Sequence, residues 1–258
     1  MAAFFVRLNL SSHTMKTPIT LLALMLLCAT SFAQETKTTS NSNGEYTEKF
    51  SVLKSDKKIK HGAYKLTRDY TGELVADGFY NNNKRDSVWH VYNGKQIVAQ
   101  GLFKNDNLSG EWTYYSSKGA IINKCNYDTR ELTYHNTTKA DTATKFPVIT
   151  RTDTVKIKLE RPPIYLPGIE MLYRNIARSV RYPAAARTGR VTGKVVIGFT
   201  VGENGKTRDF KILQGIGAGC DEEALRVVHE VSADWIAGIF NGKPVAVQYR
   251  IPITFNLQ

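Results

Sequence analysis

The chain has few of the residues from which metal sites and disulfide frameworks are built. It contains three cysteines and five histidines in 258 residues. The histidines are scattered, and no cysteines have the close spacing of a zinc-ligand pair. We expect Cys125 and Cys220 to be separate thiols, because they lie in segments that we assign to different domains. The composition therefore predicts no metal, no cofactor and no disulfide network.

Enzyme motifs are also missing. The glycine-rich stretch 215–219 lacks the Lys-Ser/Thr pair that follows the glycines of a phosphate-binding loop. The acids at 221–223 come where a helix is expected to begin, and acids at that end favour the helix dipole. Cys220 shares this helix start, which tends to lower the pKa of a thiol, but no evident base accompanies it. We predict that the protein is not an enzyme.

The positive charge is spread along the chain rather than concentrated. The net charge is +12, yet no run of five Lys or Arg residues occurs and no nucleic-acid motif accompanies the charge. We therefore expect no nucleic-acid partner. The charge fits a soluble surface and, as a weaker interpretation, contact with an acidic polymer of the cell wall.

The longest apolar run is too short to cross a membrane. It extends over Pro18–Ala29, about twelve residues, whereas a membrane-spanning helix needs roughly 20. Lys16 precedes the run, and Ser31–Ala33 ends it with small residues at the first and third positions. This pattern predicts a secretory signal peptide over residues 1–33, cleaved after Ala33, and export to the periplasm. The competing interpretation is an uncleaved signal anchor that holds the protein in the inner membrane.

A repeat of 23 residues follows a polar segment. Residues 34–58 are rich in Thr, Ser, Asn and Lys and are expected to form a flexible leader. Residues 59–135 show alternating aromatic residues between polar turns, which is typical of β-hairpins that stack as repeats. The matching positions are Gly78 and Gly101, Asn82 and Asn105, and Trp89 and Trp112. This segment resembles MORN-like repeats.

The large aromatic residues of the repeat are expected to form its core, because one hairpin cannot bury its aromatic face alone. They are Tyr80, Trp89, Phe103 and Trp112. Residues 136–165 are polar, β-branched and proline-containing, and they predict a linker with an extended piece at Val155–Leu159.

The C-terminal segment, residues 166–258, has helix and strand patterns in alternation. Apolar residues recur at helical spacing over Ile169–Val180, and again from Ala224 to Trp235. Between them, two alternating stretches flank an Asn-Gly turn at Gly202–Gly205, which predicts a β-hairpin. A long strict alternation over Val245–Phe255 predicts an edge strand, since Pro252 cannot donate a ladder hydrogen bond. The predicted fold class is α+β, preceded by an all-β repeat module.

Several spaced motifs recur along residues 161–258, namely Tyr182-Pro183, Gly193–Val196, Gly205, Gly219–Ala224 and Asn241–Val245. In these motifs, the segment resembles the TonB C-terminal domain in the form found in Bacteroidetes-type bacteria. The sequence departs from the family at Ile236–Ile239, where a Pro-Gly turn is usual. It also has a repeat module where the family's energy transducers have a long Pro-rich spacer.

The resemblance implies a periplasmic protein that binds the TonB box, an extended peptide of outer-membrane receptors, by adding it to a sheet edge. Val245–Thr254 would be the pairing strand, and Arg178–Pro183 a second contact. The implied peptide-binding residues are Arg178, Arg181, Tyr182, Pro183, Val245, Val247, Gln248, Tyr249, Arg250 and Ile251. The two arginines fit a solvated face equally well, and the edge is open to cover by a second copy, giving a homodimer, or by the repeat module.

Two functions follow from this organisation. In the first, the protein takes part in TonB-dependent transport and contacts outer-membrane receptors, together with an ExbB/ExbD-type motor if it keeps a membrane anchor. In the second, it is an envelope adaptor or structural protein without energy transduction, which binds partners through both modules. Cleavage of the signal peptide separates the two.

Overall fold

The computed structural model of the chain describes residues 34–138, 143–150, 152–232 and 235–257. The predicted signal peptide lies outside these residues. Within the described ranges, every helix is too short or too polar to cross a bilayer.

The first nine strands form one antiparallel sheet in which each strand pairs with the next along the chain. They are β1 (Thr36–Ser42), β2 (Tyr46–Leu53), β3 (Lys60–Arg68), β4 (Leu74–Asn81), β5 (Lys84–Asn93), β6 (Gln96–Lys104), β7 (Asn107–Tyr115), β8 (Ile121–Asn126) and β9 (Glu131–His135). The flexible leader predicted for residues 34–58 is wrong, because β1 and β2 occupy most of it. Val52 and Leu53 at the end of β2 are buried, which ties this polar stretch to the sheet.

The 23-residue repeat places a glycine against each tryptophan. A Cβ atom added to Gly78 would lie 2.3 Å from the ring of Trp89, and one added to Gly101 would lie 2.3 Å from the ring of Trp112. Each indole N–H donates to the carbonyl of the residue after that glycine, at 3.0 and 2.8 Å. Trp89 and Trp112 are buried and Tyr80 and Phe103 pack against the same cluster, so the predicted aromatic core is confirmed.

The second large sheet has five strands in the order β11-β10-β18-β13-β14. Its strands are β10 (Lys145–Ile149), β11 (Thr154–Lys158), β13 (Gly193–Val201), β14 (Thr207–Gln214) and β18 (Val247–Phe255). The linker predicted for residues 136–165 is therefore wrong over β10 and β11, although the extended piece at Val155–Leu159 nearly coincides with β11. Val148 and Leu159 bury their side chains against Val247, which draws this hairpin into the sheet.

Helices cover one face of the five-stranded sheet. They are α1 (Ile169–Ser179), α2 (Ala184–Thr188) and α3 (Cys220–Val231). Leu172 and Ile176 of α1 and Val227 and Val228 of α3 join the buried side chains of β13 and β18 in one cluster. This arrangement confirms the predicted α+β class.

The connection from α3 to β18 differs from its prediction. The helix ends at Val231, so Trp235 does not continue its apolar stripe. Three short strands follow instead, β15 (Trp235–Ile236), β16 (Gly238–Phe240) and β17 (Lys243–Val245), of which β16 and β17 pair as a hairpin. The strand β15 pairs with β12 (Ile164–Tyr165), which lies in the segment predicted to be a linker.

A few residues of the C-terminal part complete the core of the repeat sheet. Ile164, Leu166 and Ile236 pack in the same cluster as the tryptophans of the repeats. The buried amide of Asn123 on β8 donates to the carbonyl of Leu166 at 2.7 Å. The two modules are therefore packed against each other rather than joined by a free linker.

Candidate functional site

The strand β18 is the candidate site because most of its outer side is open. It pairs with β13 in a regular register over nine residues, from Val247–Val201 to Phe255–Gly193. On its other side, β10 pairs with it only through Val148 and Val247. The prediction of an edge strand therefore needs correction: β18 is the third of five strands, and β10 covers its first residue.

The hydrogen-bonding direction of β18 follows from its contact with β10. The amide of Ile149 donates to the carbonyl of Ala246 at 2.9 Å, so Ala246 points toward β10. Main-chain groups alternate sides along a strand, and the register with β13 has no irregularity. The main-chain groups of Arg250, Pro252 and Thr254 consequently point outward. In the part of the chain that the structure describes, no strand pairs with them.

The side chains of β18 divide between the core and the surface. Val247, Tyr249 and Ile251 face the core, where the ring of Tyr249 lies 4.8 Å from that of Trp235. Gln248 is half-buried and Arg250 exposed, both on the opposite face. A pairing peptide would therefore meet the main chain of β18 and the outward side chains, and not those of the three core residues.

The remaining predicted residue of this segment, Val245, lies outside β18. It belongs to β17 and pairs with Gly238 of β16. The main chain of Val247 lies between β13 and β10, which both pair with it. The open length therefore begins after Val247, two residues later than predicted.

The Tyr-Pro motif lies near the far end of β18. The ring of Tyr182 meets that of Phe255 edge-on, with 5.6 Å between their centroids, and its hydroxyl donates to the carbonyl of Val191 at 2.6 Å. Burial raises the pKa of this hydroxyl. Pro183 begins α2 and packs near Gly219. The structure thus brings Tyr182 and Pro183 toward one end of the open strand.

The two arginines before the motif have other neighbours. The guanidinium of Arg178 lies 3.4 Å from the amide oxygen of Asn93, in the repeat sheet. The main-chain N–H of Arg181 donates to Glu223 at 2.7 Å. Both side chains are exposed, and the structure links neither of them to β18 by a hydrogen bond or ion pair.

The acids at the start of α3 are occupied by local contacts. The hydrogen bonds from Arg226 hold the pKa of Glu223 below its usual range. Asp221 accepts hydrogen bonds from the amides of Ile216 and Gly217, so it orders the glycine-rich loop. Burial raises the pKa of the Cys220 thiol, contrary to the lowering suggested by its helix position.

Cys125 and Cys220 lie in separate cores, that of the repeats and that of the C-terminal domain. Among the described residues, no group of three or more His, Cys, Asp or Glu side chains could hold a metal ion.

Within the five-stranded sheet, the strands β14 and β11 lie at the two edges, but they are less suited to pairing than β18. The strand β14 departs twice from a regular register with β13, and Asp209 within it has a positive φ of 58°. Irregularity and charge at an edge hinder the addition of a further strand. At the other edge, β11 has only five residues. The regular, nine-residue β18 is the better template.

Pro252 and Thr254 belong to the open edge. Both lie within the predicted pairing strand, although the list of implied peptide-binding residues stopped at Ile251. Both side chains are exposed. The signal was present in the sequence, since they continue the outward positions of the alternation that starts at Gln248.

Comparison with known proteins supports the relationship that the motifs suggest. Residues 178–257 match the family model described as the Gram-negative bacterial TonB protein C-terminal. Among solved structures, the chain matches the NMR solution structure of the Helicobacter pylori TonB C-terminal domain. The identity is 21%, the TM-score is 0.28, and the match covers 34% of this chain and 91% of that one. No curated protein sequence matches the chain. The match to the TonB C-terminal family model runs from the last turn of α1 to just past the end of β18, and so it includes the candidate strand.

Proposed function

We propose that this protein binds an extended peptide of an outer-membrane receptor, of the TonB-box type, by strand addition to the outer side of β18. The observation that carries the proposal is the open main-chain edge at Arg250, Pro252 and Thr254. TonB C-terminal domains are non-enzymatic protein-interaction domains, and they contact outer-membrane receptors in the cell envelope.

The physical basis is the free energy of ladder hydrogen bonds. Each contributes about 0.5–1.5 kcal/mol, so a few of them give moderate affinity with little dependence on the peptide's sequence. The outward side chains of Gln248 and Arg250 would add selectivity. Since Arg250 is cationic, a peptide with an acidic residue near this position is favoured.

Replacing Arg250 by two different residues tests the strand-pairing mode. Arg250→Pro removes the outward N–H without removing a hydrogen bond to β13, and Arg250→Ala removes only the side chain. We expect the proline variant to bind a synthetic receptor N-terminal peptide at least about fivefold more weakly than the alanine variant. Fluorescence anisotropy with a labelled peptide measures the affinities, and thermal unfolding verifies that both variants are folded. Equal affinities for the two variants would contradict pairing at this edge.

The wider role that we propose is a part in TonB-dependent transport across the envelope. It depends on whether residues 1–33 are removed. Mass spectrometry of the native protein, from separated membrane and periplasmic fractions, identifies its N-terminus. A soluble product that begins at Gln34 would exclude direct coupling to an inner-membrane motor and favour the adaptor function, whereas a retained N-terminal segment would favour transduction.

A further inference from the structure

A cavity of about 630 Å³ lies where the repeat sheet, α1 and the start of β18 meet. Its volume is within the range of small-molecule sites, roughly 300–1,000 Å³. Its wall is mainly apolar and comes from segments distant in sequence, including Ile122, Phe146, Ile169, Met171 and Tyr173. The arrangement exists only because the two modules are packed together.

Two apolar residues of α1 face this space rather than the core. Ile169 and Tyr173 follow the helical spacing of the buried Leu172 and Ile176, yet they are 43% and 42% exposed. Both line the cavity. Exposed apolar surface that lines a concave site is a feature of ligand pockets, since a ligand would bury it.

Two residues of the lining also carry buried hydrogen-bond donors that are not used. They are Arg174 and Trp235. Their Nη1 and Nε1 atoms are buried, and neither donates to any group in the described part of the chain. Buried polar atoms normally have a partner, because an unsatisfied donor has lost its hydrogen bond to water without gaining another. A ligand with an acceptor group would supply it.

The charge of the lining favours a negative acceptor. Among the described residues, the lining includes three cations, Lys145, Arg174 and Arg250, and one acid, Glu170. The side chain of Arg250 is exposed on the outer face of β18, and Glu170 accepts a hydrogen bond from Ser117. A carboxylate accepts hydrogen bonds from a guanidinium in a strong, charge-assisted geometry. The apolar wall requires that the rest of such a ligand be hydrocarbon-like.

We infer that this cavity binds a small amphipathic acid, with its carboxylate on Arg174 and Trp235 and its hydrocarbon part against Ile169 and Tyr173. Such binding does not require a peptide on β18. A bound acid would hold α1 and the repeat sheet together, since both contribute residues to the wall of the cavity.

Titration of the full chain with decanoate tests the inference. The chain has three tryptophans, so its ¹H–¹⁵N spectrum shows three indole signals, and Trp235→Phe assigns the one of interest. We expect decanoate to shift the Trp235 signal and to leave those of Trp89 and Trp112 in place. The neutral analogue decanol should bind at least about tenfold more weakly than decanoate, because it cannot form the charge-assisted contact.

Variants of the lining separate the carboxylate contact from general hydrophobic binding. Arg174→Gln should weaken decanoate binding by roughly tenfold or more, whereas Arg187→Gln, an exposed site on α2, should have no effect. Ile169→Asp keeps the fold, because an acid suits the first residue of a helix, and it should also weaken binding. Equal affinity for decanol, an unmoved Trp235 signal, or unchanged binding by Arg174→Gln and Ile169→Asp would each overturn the inference.

Discussion

At the residue scale, the glycines of the repeat are required for steric reasons rather than for backbone conformation. Gly78 and Gly101 do not have positive φ values, but each lies under an indole ring. A ring against the main chain buries apolar area and lets its N–H reach a carbonyl. The pairing explains why glycine and tryptophan recur with the same offset of 23 residues.

Gly101→Ala should therefore destabilise the protein. The new Cβ would lie 2.3 Å from Trp112, so the ring must move and its hydrogen bond of 2.8 Å is strained. We expect a loss of about 1–3 kcal/mol in the free energy of unfolding, measured by denaturant titration. In a Trp112→Val background, the same substitution should cost clearly less, because the clashing ring is gone. Equal costs in the two backgrounds would show that the ring is not the reason for glycine.

A second residue-scale prediction concerns Glu223, whose pKa is lowered by the hydrogen bonds from Arg226. A lowered folded-state pKa gives stability that is present above the unfolded-state pKa, about 4.3, and lost as the pH falls through the folded-state value. Glu223→Gln should cost about 1–2 kcal/mol at pH 7 and flatten the decline of the Tm below pH 5.

Glu230→Gln is the matched control, because Glu230 pairs with the same Arg226 but its side chain is 60% exposed. It should cost about 0.5 kcal/mol or less. A pH profile of Glu223→Gln with the wild-type slope would contradict the role assigned to Glu223.

At the element scale, the proline of β18 limits the number of ladder hydrogen bonds that a peptide can form. Pro252 is opposite Val196, and its missing N–H would point away from β13. Pro252→Ala restores this donor on the open side and leaves the ladder with β13 intact. We expect receptor-peptide affinity to increase about two- to tenfold, measured by calorimetry. Unchanged affinity would show that the bound peptide does not extend along β18 as far as Pro252.

The elements that were predicted correctly are those whose signals are local. The helix at Ile169–Ser179 and the hairpin around Gly202–Gly205 follow from spacing and turn residues within a dozen positions. The strands β1 and β2 were missed because the segment that contains them is polar, and β10 was missed because it is short and contains a proline. They are ordered by pairing, and in β2 and β10 by a few buried apolar residues.

The sequence predicted the strand that forms the candidate site, but it did not predict which elements lie beside that strand. Strict alternation indicated which side of β18 faces the core, and the proline indicated an outward main-chain position. The cover by β10 could not be inferred, because Val148 and its partner Val247 lie far apart in sequence. For the same reason, the cavity between α1 and the repeats had no signal in the sequence.

At the scale of the whole molecule, a buried amide connects the two modules. Asn123 is 2% exposed, and its Nδ2 lies 2.7 Å from the carbonyl oxygen of Leu166 and 3.3 Å from that of Tyr165. Leu166 itself is fully buried among the aromatic residues of the repeats. The C-terminal domain therefore gains part of its stability from the sheet that precedes it, and the two should unfold together.

Asn123→Ala should weaken this coupling. The substitution leaves two buried carbonyl oxygens without their donor, and it also removes the contact of 2.7 Å between the Asn123 amide oxygen and Nδ1 of His135 on β9. We expect a cost of about 1–3 kcal/mol. Hydrogen exchange should accelerate first around residues 164–166 and 235–236, before the centre of the repeat sheet, because the contact between the modules opens at lower cost than either core. Asn107→Ala removes an exposed amide on β7 and is the control. It should leave hydrogen exchange unchanged both around residues 164–166 and 235–236 and in the repeat sheet. If Asn123→Ala raised exchange equally throughout the repeat sheet, the amide would be a stabilising group of that sheet alone, and the C-terminal domain would fold without its help.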